Sequence, residues 1–400
     1  MNVANYDAAQ RILSYRMRRP VRRLQHSVLP DADRRVAVEV VCGRDGQITV
    51  RVADGEGTVR QGVDADAAAV VGGVVVGEAG LEVPVTALVS SGATIRALGM
   101  LAQRYATDNR DAVRRGAAVA GWWCERAAHP GSLAVVNMCV VSAATFMVGV
   151  VPGDESAALW RQWLGVSDQS LAGMHQWWDR LDCGPRLGGV ESVWSDDRWL
   201  WQHLLGAVRE GRGWQTAESL SLAAIRLRSR CDAADLWEAA LLNDAWWRRR
   251  AVCAGVVGCG TVDVAGVQAG RIEVLTDQLD LRMKVGAAVQ GWIGEVTDTG
   301  RDRWSGEVVA TSTEDDRLRI TIAGMSRRTK VKPVAGQRVT IGPQPPNPSV
   351  QFSGRRAVRG LYRARSSWIG HGVSPTVQRR EVPLDVMVAA ADHGESERGR

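Results

Sequence analysis

Residues 317–323 read Arg-Leu-Arg-Ile-Thr-Ile-Ala, so that Leu318, Ile320 and Ile322 alternate with polar neighbours. An apolar residue at every second position predicts a strand with one buried face, because successive side chains of a strand point to opposite sides. Residues 279–283, Leu-Asp-Leu-Arg-Met, alternate in the same way. Glycine and proline interrupt this part of the chain at intervals of roughly 10 to 20 residues, which is typical of a small antiparallel β-barrel.

The region of the predicted barrel also contains a weak internal repeat. Gly286-Ala-Ala-Val289 is followed by Trp304-Ser-Gly306, and Gly336-Gln-Arg-Val339 is followed by Phe352-Ser-Gly354. Two strand-turn-strand units of one barrel, or two paired barrels, would produce this pattern. It resembles the small barrels of several families, including OB-like nucleic-acid binders and tailed-phage baseplate hubs. The resemblance covers about 70 residues and implies a barrel fold, and no functional residue is carried over from it.

Residues 116–252 carry helical patterns and hold 13 of the 16 tryptophans. In the clearest segment, SDDRWLWQHLLGAVREG, Ser195 is suited to the N-cap and Gly211 to the C-terminal end. Further helices are predicted over 155–164, 168–181, 217–230 and 232–250. Adjacent tryptophans are interpreted as core residues, with a stacking platform as the alternative, at Trp122 and Trp123, Trp177 and Trp178, and Trp246 and Trp247.

The first 115 residues mix both patterns. Residues 47–52, QITVRV, alternate like a strand, residues 67–89 are expected to be extended, and residues 93–106 have helical spacing. Leu133 to Val151 contains no charged residue over 19 positions. Because polar residues interrupt this stretch, a buried core element is favoured over a membrane span.

These patterns predict a multi-domain α+β protein. The expected order is a mixed N-terminal region (1–115), a Trp-rich, all-helical middle (116–252), a small antiparallel β-barrel of the OB or SH3-like kind with a basic face (253–382) and a C-terminal tail (383–400).

The positive charge of the chain is concentrated in one tract. The net charge is +6, yet residues 326–380 hold 12 basic residues and no acidic one, so the other 345 residues sum to −6. The cations are almost all arginine, 47 against three lysines. Like charges at this density repel one another unless a polyanion neutralises them. Arginine binds phosphate through two parallel hydrogen bonds and stacks on bases.

The tract therefore predicts a nucleic-acid site, with a contact to an acidic protein or a merely solvated surface as the alternatives. The expected contact residues are Arg327, Arg328, Lys330, Lys332, Arg355, Arg356, Arg359, Tyr362, Arg363, Arg365, Trp368, Arg379 and Arg380. If the segment is a strand, Arg356, Tyr362 and Trp368 share one face, because their separations are even. The two aromatic residues would then stack unpaired bases, or else point into the barrel core. A second basic stretch, residues 11–23 with six arginines, is either an arm joining the same groove or a helix with a cationic face.

Enzyme motifs are missing from the sequence. It contains no phosphate-binding GxxxxGK[ST], HExxH or GxSxG pattern, and Asp179 and Asp182 are interpreted as a solvated helix face. The seven cysteines form no CxxC motif, and Cys253 and Cys259 are interpreted as small buried residues rather than metal ligands. No catalytic residue, cofactor or metal is predicted. An odd number of scattered cysteines favours a reducing cytoplasm, and no apolar segment typical of a signal peptide follows the basic N-terminus.

The sequence thus favours non-catalytic binding of DNA or RNA, mostly through phosphates and with limited sequence specificity. The alternative is a structural assembly protein, such as a phage tail or baseplate component, whose partners are other protein subunits. An enzyme without a recognisable motif is the third hypothesis. A membrane is not an expected partner. The excess of arginine over lysine is typical of a GC-rich bacterium or its phage.

Overall fold

The computed structural model describes residues 2–76, 83–214, 220–263, 270–298, 303–325 and 332–363. The helices in these ranges are α1 (Val3–Met17), α2 (Ala65–Val76), α3 (Gly92–Tyr105), α4 (Asp111–Arg126), α5 (Met138–Thr145), α6 (Ala157–Trp163), α7 (Gly173–Leu181), α8 (Glu191–Arg209), α9 (Leu220–Leu241), α10 (Ala245–Cys253) and α11 (Pro348–Arg363). The strands are β1 (Val21–Arg22), β2 (Arg34–Cys42), β3 (Ile48–Ala53), β4 (Val59–Val63), β5 (Val85–Val89), β6 (Val135–Asn137), β7 (Phe146–Met147), β8 (Gly258–Val262), β9 (Ile272–Thr276), β10 (Ala288–Ile293), β11 (Arg303–Glu314), β12 (Arg317–Ala323) and β13 (Arg338–Pro343).

A five-stranded mixed sheet organises the N-terminal half. Its strand order is β4-β3-β2-β5-β6. The first three strands form an antiparallel meander, whereas β5 runs parallel to β2, and β6 parallel to β5. Parallel neighbours need a crossover connection, and here α2 leads into β5 while α3 and α4 lead into β6. One face of the sheet packs on α2, α3 and α4, and the other on α5, α6 and α7.

The strand predicted over 47–52 is confirmed by β3, in which Ile48, Val50 and Val52 are buried. The helix predicted over 93–106 is confirmed by α3. Its N-cap is Ser91, whose hydroxyl accepts a hydrogen bond from the Thr94 amide at 3.2 Å.

The extended structure expected for 67–89 is wrong for its first part, because residues 65–76 form α2. A close helix contact explains the error. A Cβ on Gly116 of α4 would lie 1.7 Å from the Ala68 carbonyl oxygen, and one on Gly72 would lie 2.3 Å from the Ala112 carbonyl oxygen. The two helix backbones therefore approach closely through glycine, and this packing outweighs the strand preference of the valines. The last part, β5, is a strand as expected.

The middle block is not all helical, because β6 and β7 lie within it and β6 completes the five-stranded sheet. The uncharged stretch from Leu133 to Val151 contains β6, α5 and β7 in succession. Within the described ranges, no helix combines the length and the apolar character that crossing a bilayer requires.

Several helical boundaries differ from the sequence prediction, and α7, for example, begins at Gly173 rather than at residue 168. Helix α8 begins at Glu191, so Ser195 lies inside it and donates to the Glu191 carbonyl rather than capping the helix. Helix α9 continues through Cys231, where two separate helices were expected, and the break comes at Asp244. The Asp244 side chain accepts hydrogen bonds from the Trp246 and Trp247 amides and so starts α10.

The predicted antiparallel barrel is confirmed. It is closed, with strand order β10-β11-β12-β9-β8-β13, and Val274, Val308, Ile320, Ile322 and Val339 fill its interior. The strand expected at 279–283 is wrong, because this segment is a loop between β9 and β10. Every strand of a closed barrel already has two neighbours, so no sheet edge remains for a further strand.

The second unit of the predicted repeat is also wrong in its last part. Phe352-Ser-Gly354 lies in α11, which leaves the barrel and packs on α9 of the helical region. The chain therefore enters the barrel after α10 and returns from it to the helices.

Candidate nucleic-acid interface

Helix α11 carries the central part of the basic tract, and its start follows from local chemistry. Proline suits the first helical position, since no intrahelical partner is needed for an N–H group there, and Pro348 occupies it. The Asn347 side chain accepts a hydrogen bond from the Ser349 amide at 2.9 Å. The strand expected for 356–368 is thus wrong as far as residue 363. Arg356 and Tyr362 are six residues apart on a helix, so they do not share a face.

The two faces of α11 have different environments. Gln351, Gly354, Arg355 and Val358 recur at helical spacing and are buried or half-buried. The side-chain amide of Gln351 donates to the backbone carbonyl of Asp232 in α9 at 3.2 Å. Phe352 and Arg356 are exposed on the other side, and positions 359 and 363 follow 356 at intervals of three and four residues. These four positions lie along one side of the helix, called here the outer face of α11.

Arg355 is held by the protein's own carboxylates. Its Nη1 lies 2.6 Å from an oxygen of Asp196 in α8, and its Nε lies 3.4 Å from an oxygen of Asp232 in α9. Asp232 also accepts from Nε of Arg228 at 2.9 Å. Arg355, which the sequence predicts as a nucleic-acid contact, is thus engaged by carboxylates of the protein itself and anchors α11 on α8 and α9. This group of four side chains is called the α11 anchor.

A buried ion pair lies beneath the anchor. Arg126 at the end of α4 is hydrogen-bonded to Asp197 of α8, and both side chains are almost fully buried. The other carboxylate oxygen of Asp197 accepts from the Ser132 hydroxyl at 2.9 Å and the Leu133 amide at 2.8 Å. Burial raises the pKa of Asp197, whereas Arg126 and these hydrogen bonds favour the charged form. The pair fixes α8, and with it Asp196, against α4.

His129 is the third buried polar group at this junction. It is 3% exposed and lines a small cavity together with Arg126, Asp232 and Arg355. Burial lowers its pKa to about 3, and the nearby Arg126 guanidinium adds to that effect. His129 is consequently neutral at physiological pH.

Trp199 is a surface feature that the sequence analysis missed. It is 56% exposed on α8, and its ring lies 3.7 Å from that of His203. The signal was present, because Trp199 is two residues from the buried Trp201 and so lies on the polar side of an amphipathic helix. By contrast, the interpretation of the Trp pairs as core residues is confirmed for Trp122, Trp123, Trp177 and Trp178, which are buried.

The other residues of the expected site are only partly described. Lys332 is exposed ahead of β13. Positions 359, 362 and 363 belong to α11 by their backbone. The remaining expected contacts lie outside the described residues: Arg327, Arg328, Lys330, Arg365, Trp368, Arg379 and Arg380.

The second basic stretch divides into two groups. Three arginines bind the protein itself: Arg11 contacts Glu155, Arg22 the Cys183 carbonyl, and Arg23 Asp7. Three others, Arg16, Arg18 and Arg19, are exposed at the end of α1. Only Arg11 and Arg16 lie within α1, and Arg11 is paired with Glu155, so the exposed cations gather where α1 ends rather than along a helix face.

Another possible binding site is a groove on the barrel. It has a volume of about 850 Å³ and lies between β8, β9 and the loop that follows β9. Its lining arginines are neutralised, since Arg317 lies 2.9 Å from Asp277 and Arg338 lies 2.5 Å from Glu295. In the described part of the chain, no three His, Cys, Asp or Glu side chains are placed to hold a metal ion together.

Comparisons with protein-family models, curated proteins and solved structures found no match.

Proposed function

We propose that this protein binds nucleic acid without catalysis, and that the outer face of α11 contacts the phosphates. The observation that carries the proposal is that the paired arginine and the exposed arginine of α11 lie on different sides of this helix. Arg355 is neutralised by Asp196 and Asp232 and holds the helix in place, while Arg356 is exposed with positions 359 and 363 on the same side. The stretch 326–380 contains no carboxylate that could neutralise these cations from within the tract.

Such a surface recognises the phosphate backbone more than the base sequence. Positions 356, 359 and 363 follow one another at intervals of three and four residues, about one helical turn, and this spacing suits contacts with separate phosphates. Phosphate contacts release condensed counterions, and each adds roughly −0.9 to the slope of log affinity against log salt on duplex DNA. Three contacts from α11 would therefore contribute a slope of roughly −2.7.

The closed barrel is proposed to be a separate domain of the OB or SH3-like kind, which the anchored α11 joins to the helical region. In this arrangement the basic face belongs to α11 and the chain around it rather than to the barrel alone.

A structural assembly protein is the second candidate, and the exposed end of α1 favours it. Ile12, Leu13, Tyr15 and Met17 are between 43% and 70% exposed there, and neighbouring exposed apolar side chains are typical of protein contacts. Concentration-dependent rings or tubes in negative stain would support this alternative.

The proposed function is tested by the variant R356Q/R359Q/R363Q. Fluorescence anisotropy with single-stranded and duplex oligonucleotides should be measured at two salt concentrations. The variant is expected to lose at least about tenfold in affinity at low salt, as a loss of about 1.4 kcal/mol produces, and to show a shallower salt dependence. The matched control is R44Q/R60Q/R96Q, which removes the same charge from exposed sites on the N-terminal half.

Two results would contradict the proposal. Wild-type protein that binds neither oligonucleotide at low salt excludes the function. Equal affinity losses in the two triple variants would show that only the net charge matters, and that α11 is not the binding surface.

A further inference from the structure

Trp199 differs from the other tryptophans in the described ranges, which are all buried or half-buried. More than half of the Trp199 surface faces solvent. An exposed indole leaves a large apolar area in water, and its position on α8 is not needed to complete the helical core, which is formed by Val193, Trp201, Leu205 and Val208.

The indole is held in place on a polar helix face. The His203 ring lies 3.7 Å away at an interplanar angle of 36°, so one side of the indole is covered and the other is open. His203 is itself fixed, because its Nδ1 lies 2.8 Å from the Trp199 carbonyl oxygen. Gln202, three residues after Trp199 along the helix, is also exposed. A rigid, exposed aromatic side chain is a common platform for stacking a planar group.

The indole lies one helical turn from the residue of α8 that binds α11. Asp196, which binds Arg355 at 2.6 Å, precedes Trp199 by three residues. Residues three apart are neighbours on a helix surface. The residue of α8 that binds α11 and the indole therefore lie one helical turn apart on the same side of α8.

We infer that Trp199 stacks an unpaired base of a single-stranded nucleic acid whose neighbouring phosphates contact the outer face of α11. This inference rests on the proposed function and specifies its substrate class. In a duplex both faces of each base are covered by neighbouring bases, so the open side of the indole can accept only a base that has left the stack. Because every base has a π face, the contact favours single strands without choosing a sequence.

The test compares W199A, W199L and W199F with wild type on an unstructured oligothymidine, an oligouridine and a blunt DNA duplex. W199A and W199L are expected to bind both single strands about 5- to 100-fold more weakly, as the loss of one stacked base produces, and the duplex within about twofold of wild type. W199F retains an aromatic ring and should recover most of the affinity. Y15A removes an exposed aromatic residue from α1 and should have no effect.

Failure of this inference can be distinguished from failure of the proposed function. If W199A binds single strands as wild type does while R356Q/R359Q/R363Q has lost binding, the stacking role is wrong and the α11 interface stands. If W199A loses single-strand and duplex binding equally, Trp199 is not a stacking residue. Wild type that binds no oligonucleotide overturns both proposals.

Discussion

Removing Arg355 should loosen α11, whereas removing the adjacent Arg356 should not. The side chain of Arg355 is 21% exposed and contacts Asp196, which is 39% exposed, and Asp232, which is 3% exposed. Breaking a buried ion pair costs about 3–5 kcal/mol because one charge is left without a partner, while an exposed pair contributes about 0–1 kcal/mol. This pair lies between these limits, and Arg228 still neutralises Asp232 at 2.9 Å. The expected cost of R355Q is therefore about 1–2 kcal/mol.

The measurement is hydrogen exchange of the α11 amides followed by mass spectrometry. A cost of about 1–2 kcal/mol corresponds to a roughly 5- to 30-fold faster exchange through local opening. R356Q changes the same residue type one position along the chain, on the exposed side, and should alter exchange by less than about twofold. D196N should cost less than R355Q, and combining it with R355Q should add little, because the two residues share one interaction.

Equal protection of α11 in R355Q and R356Q would refute this reasoning. It would mean that the apolar contacts of α11 with α9 hold the helix without the ion pairs. Strong oligonucleotide binding by R355Q is compatible with the proposed interface, because Arg355 is assigned to anchoring rather than to phosphate.

Three further predictions follow from other parts of the structure. His129 has a folded pKa of about 3 against about 6.5 when unfolded, so the unfolded chain binds the extra proton between these values. The contribution of neutral His129 to the free energy of unfolding is complete above pH 6.5 and decreases at lower pH, by about 2 kcal/mol at pH 5. Between pH 7.5 and pH 5, the free energy of unfolding measured in urea should therefore decrease less for H129Q than for wild type. G116A should destabilise the protein by several kcal/mol, because its Cβ would lie 1.7 Å from the Ala68 carbonyl oxygen and the helix backbones would have to separate. At Gly206 a Cβ would meet no atom within 4 Å, so G206A should stabilise the protein by about 0.5–1 kcal/mol. Equal melting temperatures of the two variants would contradict this prediction. A fragment of residues 255–346 should melt cooperatively and give a β-type circular dichroism spectrum, whereas a helical spectrum would exclude an autonomous barrel. Limited proteolysis of the whole chain should cut first between Arg250 and Gly270.

Local patterns in the sequence were sufficient to predict the strands and helices that have one buried face and one exposed face. The alternation in 47–52 and 317–323 identified β3 and β12, because a half-buried strand must place apolar residues at every second position. The spacing in 93–106 identified α3 for the equivalent reason with a helical period. The absence of acidic residues from 326–380 is likewise a property of the sequence alone, and it directed attention to the part of the chain that contains α11.

Tertiary contacts decided the rest. The Val-rich segment of α2 is helical because Gly72 and Gly116 allow two helix backbones to touch, and no single-segment pattern contains that contact. Residues 279–283 alternate like a strand yet find no partner, because the barrel closes without them. Arg355 and Arg356 look equivalent in the sequence, but α11 turns one toward Asp196 and Asp232 and leaves the other in solvent. The sequence therefore determined where positive charge accumulates. The packing of α11 on α8 and α9 determined which charges are available, because the two carboxylates that bind Arg355 lie more than a hundred positions away in the chain.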